Sequence, residues 1–151
     1  MNIRPYSASD WNRVCEIHDA ARRDELAAAG LEAAYLTLAE TAANEGFHDY
    51  TIRVAEIGGT IAGFVAFTSE ELAWLYVDPA WYRRGIGTAL IRAALGETRA
   101  PLDAEVLAGN DAAVALYRRS GFAVAGHANG RMPGNERFTV SVTVLSHPGT
   151  V

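Results

Sequence analysis

Leu75–Leu90, LYVDPAWYRRGIGTAL, decides how this 151-residue chain folds. Its apolar run ends at Val77, and Asp78-Pro79 breaks it. A short basic and aromatic loop follows, Trp81-Tyr82-Arg83-Arg84. Gly85-Ile86-Gly87 then opens a segment whose apolar residues, Ile86, Leu90, Ile91, Ala94 and Leu95, have the spacing of a helix packed on one face. Strand, glycine loop and helix N-terminus together make an anion site. The first helical N–H groups lack intrahelical partners, and the macrodipole places about half a positive charge there. Without a Cβ, Gly85 and Gly87 let the backbone approach a bulky phosphate and take positive φ. Arg83 and Arg84 add charge, and the Thr88 hydroxyl adds a donor. Such a loop suits a pyrophosphate.

The rest of the composition bounds the protein. Residues 1–151 read as one domain, half hydrophobic, long enough for a real core. The net charge is −5, and all 13 basic residues are arginine, which excludes the lysine-dependent phosphate loop of the NTPases. The acidic balance argues against nucleic acid and favours cationic or neutral substrates. Cys15, the one cysteine, leaves no disulfide framework, and no histidine spacing indicates a metal. There is no leader pattern and no membrane-length apolar run, so a cytoplasmic protein with no membrane partner is expected.

Working outward, Met1–Pro5 is a short strand, and Ser7 or Ser9 caps a helix with an apolar stripe of Trp11, Val14, Cys15, His18 and Ala21. Arg22, Arg23, Asp24 and Glu25 read as its solvated face, and Gly30 ends it. A second helix is expected over about 31–43, the pair covering one edge of a sheet. Thr51–Ile57 and Thr60–Thr68 flank a Gly58-Gly59 hairpin turn, and Glu71–Val77 completes an antiparallel meander. The helix Gly87–Leu95, closed by Gly96, crosses over to Leu102–Leu107, which makes that connection parallel. Asn110 caps a further helix closed by Gly121, and Phe122–Ala128 pairs with Phe138–Leu145 around residues 129–135. The tail, 146–151, is expected to be loose. Trp74, Tyr76 and Trp81 read as packing residues.

With these elements placed, the sequence resembles the GNAT superfamily of acyl-CoA-dependent N-acetyltransferases over essentially its whole length. Two motifs carry the resemblance. VDPAWYRRGIGTAL is similar to the family's Q/R-x-x-G-x-G/A loop, with Tyr82 where Gln or Arg is usual. Asn110-Asp111-Ala112-Ala113…Leu116-Tyr117…Gly121-Phe122 is similar to its N-x-x-A-x-x-x-Y-x-x-x-G-F pattern. The fold implied is mixed α+β: a central, mostly antiparallel sheet of six to seven strands with one parallel splayed pair, and helices on both faces. The cofactor implied is acetyl-CoA. Main-chain groups around Leu75, Tyr76 and Val77 would hold pantetheine and the acyl carbonyl, and Tyr82, Arg83, Arg84, Gly85, Ile86, Gly87 and Thr88 the pyrophosphate. Asn110, Ala113 and Tyr117 would complete the cofactor site.

The resemblance also implies chemistry: transfer of acetyl to a primary amine by direct attack. Tyr117 would donate a proton to the departing thiolate. A thiol titrates near 8.5 and a phenol near 10, so at equal solvation that transfer costs only about 2 kcal/mol. Glu71, eleven residues before Tyr82, is the candidate base, with water as the alternative. The acidic balance and the carboxylates Asp24, Glu25, Glu45 and Asp49 near the helical cover suggest a cationic small amine or a peptide N-terminus as acceptor, whose identity is otherwise open, and a homodimer is a further expectation. Two other readings compete. A dinucleotide oxidoreductase would use Gly85-Ile86-Gly87 with Asp103, but the third glycine position is Leu90 and seven residues separate strand from first glycine. A non-catalytic acyl-CoA sensor of the same fold would keep both motifs.

Overall fold

The computed structural model describes residues 1–150. In chain order the elements are β1 (Asn2–Pro5), α1 (Trp11–Ala28), α2 (Leu38–Glu45), β2 (Thr51–Ile57), β3 (Thr60–Phe67), β4 (Leu72–Val77), α3 (Ile86–Thr98), β5 (Leu102–Leu107), α4 (Asp111–Arg119), β6 (Ala123–Arg131) and β7 (Thr139–His147). Gly58 and Gly59 take φ of 57° and 80°, the two left-handed residues that a tight hairpin between twisted strands requires.

The strands form two antiparallel sheets, β1-β2-β3-β4 and β5-β7-β6, rather than the one sheet expected. The parallel connection is reduced to a single bridge, Glu71 to Asp103, supported by a 3.0 Å hydrogen bond from Asp103 N–H to the Glu70 carbonyl. Beyond it no ladder joins β4 to β5 among the described residues. The first sheet is covered on both faces, and the period-two alternation of its strands decides what packs where. Ala55, Val65 and Leu72 meet Ile86, Leu90, Ile91 and Ala94 of α3. Val54, Phe64 and Trp74 meet Val14 and Ile17 of α1 and Leu38 and Ala42 of α2. A smaller cluster of Leu26, Ala34 and Met132 ties the end of α1 to the β6–β7 turn.

Several boundaries depart from the sequence reading. The helix expected over 31–43 is a 3₁₀ turn at Glu32–Ala34 followed by α2. Tyr35 is extended, and Thr37 restarts the helix through a capping box: Thr37 Oγ1 accepts from Glu40 N–H, and Glu40 Oε1 accepts from Thr37 N–H at 2.9 Å. Gly96 does not close α3, which continues to Thr98 and ends at Arg99 with φ 54°. Glu71 lies just before β4 rather than in it. β6 runs on to Arg131 and β7 begins at Thr139, so the turn falls at residues 132–138 and not 129–135. The expected loose tail begins inside β7, where Ser146 and His147 are paired to Asp103 and Leu102; Val151 lies outside the described residues.

Two glycine substitutions separate these situations. Gly96 is exposed in the last turn of α3 with nothing within 4 Å of a built Cβ, so Gly96→Ala should raise unfolding stability by roughly 0.5–1 kcal/mol. Gly109 has φ +100°, and a Cβ there would come 2.7 Å from the Ala28 carbonyl oxygen. Gly109→Ala should therefore cost roughly 1–3 kcal/mol. Urea midpoints of the two variants moving in the same direction would contradict this account.

Candidate active site

The loop between β4 and α3 is built by local polar contacts. Asp78 caps the 3₁₀ turn Pro79–Trp81, its Oδ1 accepting from Ala80 N–H at 2.9 Å, while Arg13 Nη2 donates to Oδ2 at 2.5 Å. Tyr82 Oη donates to Asp24 Oδ2 at 3.2 Å and so ties the loop to α1. The Arg84 guanidinium lies over the Trp81 ring, 4.9 Å from its centroid. Arg83 (φ 63°) and Gly85 (φ 77°) turn the chain into α3. The first N–H with an acceptor inside α3 is that of Ala89, to Gly85 O at 3.1 Å, which leaves the amides of Ile86, Gly87 and Thr88 at the mouth of the helix. Gly87 departs from expectation. It sits in ordinary helical conformation, buried, and a Cβ would meet Leu116 Cδ2 at 2.9 Å. Its missing side chain makes room for α4; of the two glycines only Gly85 takes positive φ.

A groove of about 500 Å³ runs from this loop along the open side of β4. Leu75, Tyr76 and Val77 line it from β4, Tyr82, Arg83, Gly85, Ile86, Gly87 and Thr88 from the loop and α3, and Asn110, Ala113 and Tyr117 from the α4 side. Of the residues expected at the cofactor, Arg84 alone is absent from the wall; it is occupied by Trp81. Asn110 Oδ1 accepts from Ala113 N–H at 3.3 Å, the expected cap. Tyr117 is buried against Phe122, ring centroids 5.1 Å apart. Burial, and then the charge of Glu25, push its phenol above the ordinary range, so it is protonated at neutral pH.

A second cavity, about 880 Å³, opens on the other side of the β4–β5 junction. Its walls carry the carboxylates of Glu45, Glu70, Glu71, Asp103 and Glu105, together with His18, Arg22 and Tyr50. Glu71 therefore stands here, not beside Tyr117. Its Oε1 accepts a short hydrogen bond from Tyr50 Oη, which, with burial, pushes the Tyr50 phenol up to about 12.

The groove and the cavity share four wall residues: Leu72, Ala73, Tyr76 and Glu105. Tyr76 Oη donates to Glu25 Oε1 at 2.8 Å, and Arg22 pairs with the same carboxylate while its Nη2 reaches Met132 Sδ at 3.2 Å. Arg22 and Glu25, read as solvated, are thus turned inward and only about a fifth exposed. The sequence reading also passed over Glu105. Its signal was the alternation Leu102-Asp103-Ala104-Glu105-Val106, in which the even positions are buried and the acidic ones face the opening. His18 is buried with Nδ1 2.9 Å from Asp19 Oδ1, and its ring meets Tyr76 edge-on at 4.9 Å. The Asp19 carboxylate is itself held by Leu38 N–H. No helix among the described residues is long and apolar enough to cross a membrane.

Residues 11–122 match the family model of the acetyltransferase (GNAT) family. Over 77 residues the chain is 39% identical to N-alpha-acetyltransferase RimI of Mycobacterium tuberculosis, covering 45% of this chain and 49% of that relative, about half its length. A GCN5-related N-acetyltransferase from Rhodopseudomonas palustris superposes with a TM-score of 0.80 at 19% identity, over 97% of this chain and 94% of that one. A GNAT superfamily phosphinothricin acetyltransferase from Sinorhizobium meliloti, solved in complex with acetyl-CoA, gives 0.69 at 20% identity, over 99% and 88%. At those identities the two structures share the fold.

His18 gives the site a pH dependence of known sign. Burial lowers its pKa from 6.5, opposed by Asp19 and Glu25 and reinforced by Arg22. Its contribution to stability is fully present above the unfolded value of 6.5. As pH falls below that, the unfolded chain binds a proton that the folded one refuses, and stability declines until the folded imidazole titrates as well. Urea midpoints at pH 7.5 and 5.5 should differ more in the wild type than in His18→Gln; equal differences would remove His18 from the pH response.

Proposed function

We propose, for a chain that belongs to the acetyltransferase (GNAT) family, that residues 1–151 form one N-acyltransferase domain moving acetyl from acetyl-CoA to a primary amine by direct attack. One observation carries this reading. A groove with a helix N-terminus and Arg83 at one end meets, at its other end, a cavity walled by carboxylates. The donor set fits the cofactor. Amides of Ile86, Gly87 and Thr88 and the Arg83 guanidinium suit a pyrophosphate, and the unpaired edge of β4 around Leu75 and Val77 suits an amide-bearing pantetheine arm. When bound, acetyl-CoA supplies a thioester carbonyl activated towards amines.

The chain's own residues then divide the proton work. Tyr117 donates to the leaving sulfur. Its pKa is raised by burial and by the Glu25 charge, and burial in the same groove would raise that of a thiol in the same direction. The amine must shed a proton before it attacks, and two carboxylates are candidates. Glu71 lines only the acceptor cavity and is engaged by Tyr50. Glu105 lines both cavities, where the amine has to meet the carbonyl, and is the better placed base. Cys15 lines neither cavity, and burial and Asp19 push its thiol up to about 11, so no acyl-enzyme through it is invoked. Five carboxylates around the acceptor cavity favour a cationic amine or a peptide N-terminus.

Calorimetric titration with acetyl-CoA, with NADH as control, tests the cofactor; binding of NADH in preference would return the protein to the dinucleotide class. Tyr117→Phe should lower kcat by roughly 10²-fold while leaving acetyl-CoA affinity within a few-fold. Glu105→Gln should remove the enzyme's contribution to the acidic limb of the kcat/KM pH profile, where a carboxylate base is lost to protonation, and Glu71→Gln should leave that limb in place. The reverse pattern would give the base role to Glu71, and two unchanged profiles would give it to water.

A further inference from the structure

We propose that the Tyr76 ring sets the length of the acyl group this protein accepts, holding it to two carbons. The inference rests on the reading of the groove as the acyl-CoA site. Of the four residues facing both cavities, Leu72 is almost wholly buried, Ala73 offers a methyl group and Glu105 a carboxylate. Tyr76 alone puts a bulky ring at the passage.

That ring is anchored on three sides. Its hydroxyl donates to Glu25 Oε1 at 2.8 Å, its ring meets that of His18 edge-on with centroids 4.9 Å apart, and the Phe64 ring is tilted against it at 5.9 Å. The Glu25 carboxylate is in turn fixed by Arg22, whose other terminal nitrogen is against Met132. To swing aside, Tyr76 would leave a half-buried carboxylate–guanidinium pair without its third partner. A longer apolar chain would press on that ring and on the ion pair beyond it, neither of which yields cheaply. A methyl group needs no such displacement.

The test measures binding, so no acceptor need be known. Acetyl-CoA and butyryl-CoA are titrated calorimetrically into wild type, Tyr76→Phe, Tyr76→Leu and Tyr76→Ala. Wild type should bind acetyl-CoA more tightly than butyryl-CoA by about tenfold or more. Tyr76→Phe keeps the ring and should keep that ratio within about threefold, which separates the ring's bulk from its hydrogen bond. Tyr76→Ala should shift the ratio towards butyryl-CoA by roughly 10–200-fold, with Tyr76→Leu intermediate. Tyr76→Leu preserves an apolar side chain should Tyr76→Ala not fold. If a folded Tyr76→Leu or Tyr76→Ala variant binds acetyl-CoA and keeps the wild-type ratio, this inference is wrong while the acyl-CoA reading stands. If wild type binds neither thioester, the acyl-CoA reading fails and takes this inference with it.

Discussion

A single backbone bridge between Glu71 and Asp103 holds the two sheets edge to edge, and most of what the protein can do follows from its being single. Had β4 and β5 paired along their length, their N–H and C=O groups would have satisfied one another, as buried main chain demands. Because pairing stops after one bridge, the strands diverge and the inner edge of β4 keeps its polar groups. The groove and the carboxylate-walled cavity meet at this divergence, sharing Leu72, Ala73, Tyr76 and Glu105. Asp78-Pro79 ends the strand where the divergence is widest, since proline cannot extend a ladder, and delivers the chain to the glycine loop.

The open junction is then walled by a helix from a distant part of the chain. α1 packs Val14 and Ile17 into the first sheet while its following turns, on the same face, bring His18, Arg22 and Glu25 to Tyr76. Those polar groups are tolerated at low exposure because each has a partner: Arg22 with Glu25, Tyr76 with Glu25, His18 with Asp19, and Asp19 with the Leu38 amide. The same contacts explain why Tyr76 and Tyr117 are both held protonated, since burial and the Glu25 charge act on each in the same sense.

What was legible in the sequence was what is local in the chain. The strand, loop and helix of Leu75–Leu90 and the cap, helix and glycine of Asn110–Phe122 are specified within a few residues, and both lie where their motifs require. The hairpin at Gly58-Gly59 and the two packed faces of the first sheet follow from short periods in the same way. The Thr37–Glu40 capping box was equally local and was obscured by the alanine-rich composition around it. Gly96 misled because a glycine signals a helix end only when positive φ is needed there, and here Arg99 takes that conformation. Arg22, Glu25 and Glu105 were illegible for a different reason. A charged residue on an amphipathic helix or alternating strand faces outward by pattern, and only the tertiary structure shows that outward here means into a cavity.

Two plates fastened at one corner alone would have a soft direction and a stiff one. Sliding or pulling them apart strains the bridge at Glu71 and Asp103, and pivoting about it is opposed by the core that Val65 and Leu72 share with Ala104, Val106 and Leu145. The gap is therefore bounded by packed elements along its length, from the loop residues Trp81, Tyr82 and Arg83 to Glu105. A long flexible molecule laid in such a gap would meet walls whose spacing is set before it arrives.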